Sequence, residues 1–250
     1  GTPGMHSYSV GEDLGNAVAD IVPAARSLNP DLAPTWFAVG HSEGGQAALF
    51  ATRAAARHPE LDLAAAVAVA PSSNLQLALP GIALGAVPAD VAYGVYFLAG
   101  LSTVDETIDV PALLGPAARP HADLLLESGC LREALDTLSD APAGDLFAMP
   151  DAEMQRLSDL LAEVGNPDLE PTVGPLLIVQ GSEDHDVPQF LTDDLVASLE
   201  DQGVDLTYRL IPGEGHDTVL GPTVCETLDW LADHGGPDPT ACEPAPTDLS

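Results

Sequence analysis

The sequence predicts an α/β fold, a mostly parallel sheet flanked by helices, interrupted by a large helical insertion. Three observations carry that prediction. Short apolar runs bounded by glycine or proline alternate with helical stretches along most of the 250 residues. Two of the runs, residues 63–70 and 175–180, are continuously apolar but for the closing Gln180, as expected of strands buried on both faces of a parallel sheet. Between them lie about a hundred residues with helical patterns and no clear strand, far beyond an ordinary connection.

Taken in order, residues 10–28 set Leu14, Val18, Ile21, Val22 and Ala25 at helical spacing, and Asn29-Pro30 ends that helix. Residues 35–39 are a short β-branched and aromatic run that stops at Gly40, and residues 46–57, beyond Ser42, are alanine-rich and helical. Strand, sharp turn and helix follow. The strand at 63–70 comes next. Within the insertion, residues 84–101, 113–126, 131–138 and 151–164 read as helices separated by proline, glycine and serine. After the strand at 175–180 come a helix over 188–202, a strand over 206–211 and a last helix over 222–234. Residues 238–250 are proline-rich and acidic, without periodicity, and are expected to be extended or disordered. The expected division is a core of residues 1–71 and 175–236, a helical cap of 72–174 and a tail of 237–250. The cap's leucines either line a pocket for an apolar substrate or pack the cap's own interior.

The charge balance bounds the partners. There are 39 acidic residues against 7 basic ones, all arginine, for a net charge of −32. Binding to nucleic acid or to an anionic membrane surface is carried largely by Lys and Arg, so neither is an expected partner. The acidity fits a solvated surface, an adaptation to high salt, or a compositional bias of the genome. Residues 81–101 are apolar enough to be weighed as a membrane span, but Pro88, Asp90 and glycines interrupt them, and a central Asp costs roughly 3 kcal/mol on insertion. No span is expected. The run from Gly1 has no signal-peptide pattern, so either a signal has been removed or the start lies upstream. Of Cys130, Cys225 and Cys242, the last two flank a helical stretch and the tail, which makes a bridge between them plausible in a secreted protein; three unpaired thiols is the alternative. Their spacing has no metal-site pattern.

The chemistry concentrates in three segments. Gly40-His41-Ser42-Glu43-Gly44-Gly45 matches G-x-S-x-G, in which a serine sits on a strained strand-to-helix turn and side chains in place of the glycines would clash with neighbouring elements. A serine hydroxyl is a poor nucleophile, so a base must take its proton and an acid must orient the base. Gly181-Ser182-Glu183-Asp184-His185-Asp186-Val187-Pro188 follows one predicted strand and offers Glu183, Asp184 and Asp186 as acids. Gly213-Glu214-Gly215-His216-Asp217 follows the next, and His216 alone among the seven histidines stands in a glycine-flanked loop after a terminal strand. His41 reads as a packing residue of the turn; His6, His58, His121 and His234 read as solvated or capping residues.

Together these segments resemble the α/β-hydrolase superfamily, whose acid loop commonly reads G-x-x-D-x-x-V-P; Gly181, Asp184, Val187 and Pro188 fit that register. The resemblance implies Ser42 as nucleophile, Asp184 as acid with Asp186 second, His216 as base and the backbone N–H of Glu43 as an oxyanion donor. More closely, the opening G-T-P-G-x-H-x-Y at residues 1–8, the run GHSEGGQAALFA and the helical insertion resemble the secretory lipase family of actinobacteria and fungi. That likeness implies a secreted esterase or lipase without cofactor, acting on a small-molecule or lipid ester. The family often has Gln where Glu43 stands. A complete fold of this type has several strands before the turn strand, and here one helix precedes it, so the N-terminal strands and a second oxyanion donor are expected to be missing, supplied by an upstream segment or a partner strand. A serine peptidase or amidase, since the same triad cleaves amides, and a non-catalytic binding protein on the same scaffold are the competing readings.

Overall fold

A computed structural model of the chain describes residues 4–85, 92–168, 172–239 and 242. They form two compact units, one of residues 4–10 and Asn74–Asn166, the other of Gly11–Ser73 with the described residues from 167 onward. The second unit runs α1 (Gly11–Leu28), β1 (Thr35–His41), α2 (Glu43–Ala54) and β2 (Asp62–Val69). The insertion follows, with α3 (Leu75–Leu84), α4 (Ala92–Leu101), α5 (Val110–Leu113), α6 (Leu131–Leu138) and α7 (Asp151–Gly165). The chain then returns to the second unit through β3 (Leu176–Gly181), α8 (Gln189–Asp201), β4 (Leu206–Ile211) and α9 (Leu220–Asp233).

All four strands are parallel and stand in the order β1-β2-β3-β4. Right-handed crossovers that always step in one direction put their helices on one face. Leu49 of α2 and Leu195 and Leu199 of α8 accordingly share a core with Ala66, Ala68, Leu176 and Ile178. The alternate strand residues Val67, Val69, Leu177 and Val179 point the other way and are met by Leu220, Trp230 and Leu231 from α9. Two-sided burial is why β2 and β3 read as unbroken apolar runs. Among the described residues β1 and β4 are the edge strands, and Val39 of β1, paired with Val67, is 56% exposed.

The first unit has its own core, built on Leu79, Ile82, Val95, Leu98, Leu101, Leu157 and Leu161. Its helices depart from the sequence expectation in three places. α3 was not expected, because it is apolar all round and contains Pro80, which reads as a breaker. Its start is capped from a distance: Asn166, just past α7, accepts a hydrogen bond from Leu75 N at 2.8 Å and donates one to Gln76 Oε1 at 2.7 Å. Leu84, the first residue of the expected helix over 84–101, instead ends α3, which Gly85 caps at φ 64°; residues 86–91 lie outside the described residues, and α4 supplies the remainder. The expected helix over 113–126 forms only from Arg119, where a 3-10 turn with Pro120 in its first turn continues without a break through Ala122 and Asp123 into a π-helical turn at Leu124–Ser128; α5, capped by Asp109 through Ala112 N, ends at Leu113, and Pro116 lies between the two.

Cys225 and Cys242 are joined by a disulfide, which ties residue 242 to α9, and Cys130 is a free, exposed thiol. Of the tail at 238–250, residues 240, 241 and 243–250 lie outside the described residues. Among the described residues, no helix is long and apolar enough to cross a membrane.

The surface remains overwhelmingly acidic after pairing, because 7 arginines cannot neutralise 39 carboxylates. Arg57–Asp20, Arg156–Asp105, Arg156–Glu153 and Arg209–Glu226 are exposed pairs of small individual worth. Raising NaCl from low to molar concentration is expected to raise the melting temperature by roughly 5 °C, about 2 kcal/mol for a chain of this size, by screening carboxylate repulsion. A thermal-denaturation series checks this, and a flat or falling melting temperature rules out self-repulsion as a major destabilising force.

Candidate active site

β1 delivers the first segment. Its last residue is His41, α2 begins at Glu43, and Ser42 between them is held at φ 58°, ψ −123°. Such a backbone costs on the order of 1–3 kcal/mol in a residue with a Cβ and persists only where its surroundings enforce it. Here Ser42 N donates to Val69 O of β2 at 2.9 Å, and Ser42 O accepts from Gln46 N at 3.1 Å. The Ser42 side chain makes no capping hydrogen bond to α2, unlike most serines at a helix start. The neighbouring glycines differ in need. A Cβ on Gly40 would run into the carbonyl of Gly44, whereas one on Gly44 would meet nothing within 4 Å, so the expectation that each glycine of the turn avoids a clash holds for Gly40 and not for Gly44.

β3 and β4 deliver the other two segments, and their loops are laced together. Ser182 N donates to Ile211 O at 3.0 Å, Glu183 N to Glu214 O at 2.8 Å, and Gly213 N to Ser182 Oγ at 2.9 Å. Gly181 permits the approach, since a Cβ there would press on the Glu214 carbonyl. The consequence is that His216 Nδ1 meets Asp184 Oδ2 at 2.8 Å, with the Asp184 side chain fully buried and that of His216 9% exposed.

The structure separates the three candidate acids. Asp184 Oδ1 accepts from the backbone N–H groups of Asp186 at 2.9 Å and Val187 at 2.8 Å, and Oδ2 accepts from Gln180 Nε2 at 3.0 Å as well as facing His216. The buried carboxylate thus has four partners, which offset the cost of removing it from water. Asp186 enters this arrangement through its backbone, and Glu183 and His185 are exposed. Burial of His216 disfavours its cation, but the hydrogen bond and charge of Asp184, helped by Asp186 and Asp217, outweigh it, so the imidazole pKa lies above its ordinary value.

His41 does more than pack. Its Nε2–H donates to the backbone carbonyl of His216 at 2.9 Å, and the two rings lie 4.5 Å apart. Burial and the neighbouring His216 charge hold the His41 pKa below its ordinary value, so it stays a neutral donor. The residue next to Ser42 is therefore bonded directly to the histidine loop.

The sheet that carries these residues is parallel, with helices on both faces, and the sequence matches a known family. The sequence profile of the alpha/beta hydrolase family covers residues 2–226. The chain belongs to that family. No curated protein sequence matches this alpha/beta hydrolase at a significant level. Solved structures do match in fold. A Legionella pneumophila protein described as a candidate hydrolase is 19% identical with a TM-score of 0.77, over 95% of this chain and 67% of its own. A point mutant of the rice cell wall degrading esterase LipA from Xanthomonas oryzae is 18% identical with a TM-score of 0.76, over 92% and 67%. Candida antarctica lipase A in its closed state is 17% identical with a TM-score of 0.69, over 96% and 59%. This hydrolase thus spans about two thirds of the length of the first two and less of the third.

Proposed function

We propose that this hydrolase cleaves carboxylic esters through an acyl-enzyme on Ser42, with His216 as general base and Asp184 as its acid partner. The observation that carries the reading is the 2.8 Å hydrogen bond from His216 Nδ1 to the buried Asp184 carboxylate. In the neutral imidazole this bond places the proton on Nδ1 and leaves Nε2 as the acceptor, the tautomer a general base needs. The uncapped Ser42 hydroxyl on its strained turn, and the bond from His41 to the His216 backbone, support the same assignment. In the first half-reaction Nε2 takes the Ser42 proton as Oγ attacks the ester carbonyl; the tetrahedral oxyanion collapses, and the alcohol leaves with that proton. Water then repeats the sequence on the acyl-enzyme and releases the acid. Glu43, the first residue of α2, offers its backbone N–H to the oxyanion at a helix N-terminus, where such groups face outward.

The three solved structures named above support ester over amide only through the two described as an esterase and a lipase. The disulfide between Cys225 and Cys242 supports a place outside the reducing cytosol. A panel of p-nitrophenyl esters of rising acyl length, set against aminoacyl-nitroanilides, tests the function. Turnover of the esters with little on the anilides is the expected result. Faster turnover of the anilides would make the protein a peptidase or amidase, and turnover of neither would reduce it to a binding scaffold.

A further inference from the structure

Gln180, the last side chain of β3 before the acid loop, has no role in the mechanism above, yet it is fully buried where Leu176, Leu177, Ile178 and Val179 before it are all apolar. An amide in such a place is costly unless every polar atom finds a partner. It does. Nε2 donates to Asp184 Oδ2 at 3.0 Å and to Val187 O at 3.0 Å, with Gly181 O at 3.3 Å, while Oε1 accepts from the Thr192 hydroxyl at 2.8 Å. These partners define which end of the amide is nitrogen, because three oxygens crowd one end and a hydroxyl caps the other. Thr192 is itself fully buried, on α8.

We infer that Gln180 is a positioning residue that fixes the Asp184 carboxylate toward His216, and that Thr192 holds Gln180 in the one amide orientation that can do so. The geometry gives each oxygen of Asp184 a separate duty. Oδ1 is pinned by the backbone of the loop, and Oδ2, the oxygen His216 uses, is pinned by a side chain anchored to α8. Without the amide N–H the carboxylate keeps its loop contacts and can swing Oδ2 off the imidazole. With the amide reversed, its Oε1 would confront the carboxylate. α8 is thereby linked through two side chains to the orientation of the proposed base.

The test uses Gln180→Met, close in volume and without hydrogen bonds, and the pair Thr192→Val and Thr192→Ser. Two readouts are followed in the full chain: steady-state ester turnover, and the far-downfield proton resonance of an imidazole Nδ1–H held against a carboxylate. Gln180→Met is expected to lower kcat by tenfold to a hundredfold, roughly the cost of a small misplacement, with KM little changed, and to shift or broaden the resonance. Thr192→Val should move both readouts the same way by less, and Thr192→Ser, which restores the hydroxyl, should recover most of that loss. A folded Gln180→Met protein with the parent's resonance and turnover overturns the inference. Should that variant fail to fold, equal behaviour of the two Thr192 variants overturns it instead. The kinetic arm rests on the proposed esterase reading; the resonance arm does not, so a parent chain that turns over no ester would sink the function and leave the resonance to decide the role of Gln180.

Discussion

Ser42→Ala is expected to lower kcat for ester hydrolysis by a factor on the order of a million while leaving the fold intact. Triad members act as a unit, so losing the nucleophile costs about as much as losing all three. The substitution is mild structurally. It keeps a Cβ in the same backbone conformation at φ 58°, and the hydroxyl it removes makes no capping hydrogen bond to α2. Melting temperature should therefore stay within a few degrees of the parent's, roughly 1 kcal/mol. His216→Ala is expected to be as damaging to turnover but less clean, because it leaves the buried Asp184 carboxylate short of one partner, at about 1–3 kcal/mol. Stopped-flow or steady-state assays on p-nitrophenyl esters, with a thermal melt beside them, measure both effects. A Ser42→Ala chain that retains turnover would move the nucleophile elsewhere.

Asp184→Asn should cost about 10⁴-fold in kcat, some 5–6 kcal/mol of transition-state stabilisation, because an asparagine amide can present N–H to His216 Nδ1 and hold the wrong tautomer. Asp186→Asn should cost far less, since Asp186 contacts Asp184 through its backbone N–H, which the substitution keeps. A pH profile gives a second reading with a definite sign. In the parent, burial lowers the His216 pKa and Asp184 more than compensates, so with His216 as the base the acid limb of kcat/KM is expected above the ordinary imidazole value. Removing the Asp184 charge leaves burial as the largest influence, and the acid limb should move to lower pH. Greater damage from Asp186→Asn, or an acid limb that rises in Asp184→Asn, contradicts the assignment of the acid.

Much of this architecture was legible because the strands of a parallel sheet announce themselves. β2 and β3 are apolar on both faces and short, and the loops that follow β1, β3 and β4 carry Ser42, Asp184 and His216 in plain sequence patterns. Choosing among Glu183, Asp184 and Asp186 was harder from residues alone: on a chain this acidic a carboxylate says little, and only the fold of the loop buries one of them. The role of Gln180 escaped because its partners come from residues one to twelve positions later, brought back by the turn into α8; its single trace was a polar residue closing an apolar strand. The insertion was read worst. α3 is apolar around its whole circumference, which erases the helical period, and proline can sit inside a helix, as Pro80 does, in a first turn, as Pro120 does, or between helices, as Pro116 does.

The bond from His41 to the His216 carbonyl joins residues 175 apart in the chain. Closing so long a loop is among the last and slowest steps a polypeptide of this kind can take, because its entropy is lost before most of its contacts are gained. Helix content can return early on refolding, since α1 and α2 are neighbours in the chain and pack on each other. Catalytic competence, by contrast, must wait until β4 has docked and its loop has reached β1. Recovery of turnover is therefore a clock for the completion of the sheet, and it should lag behind recovery of the helical circular-dichroism signal.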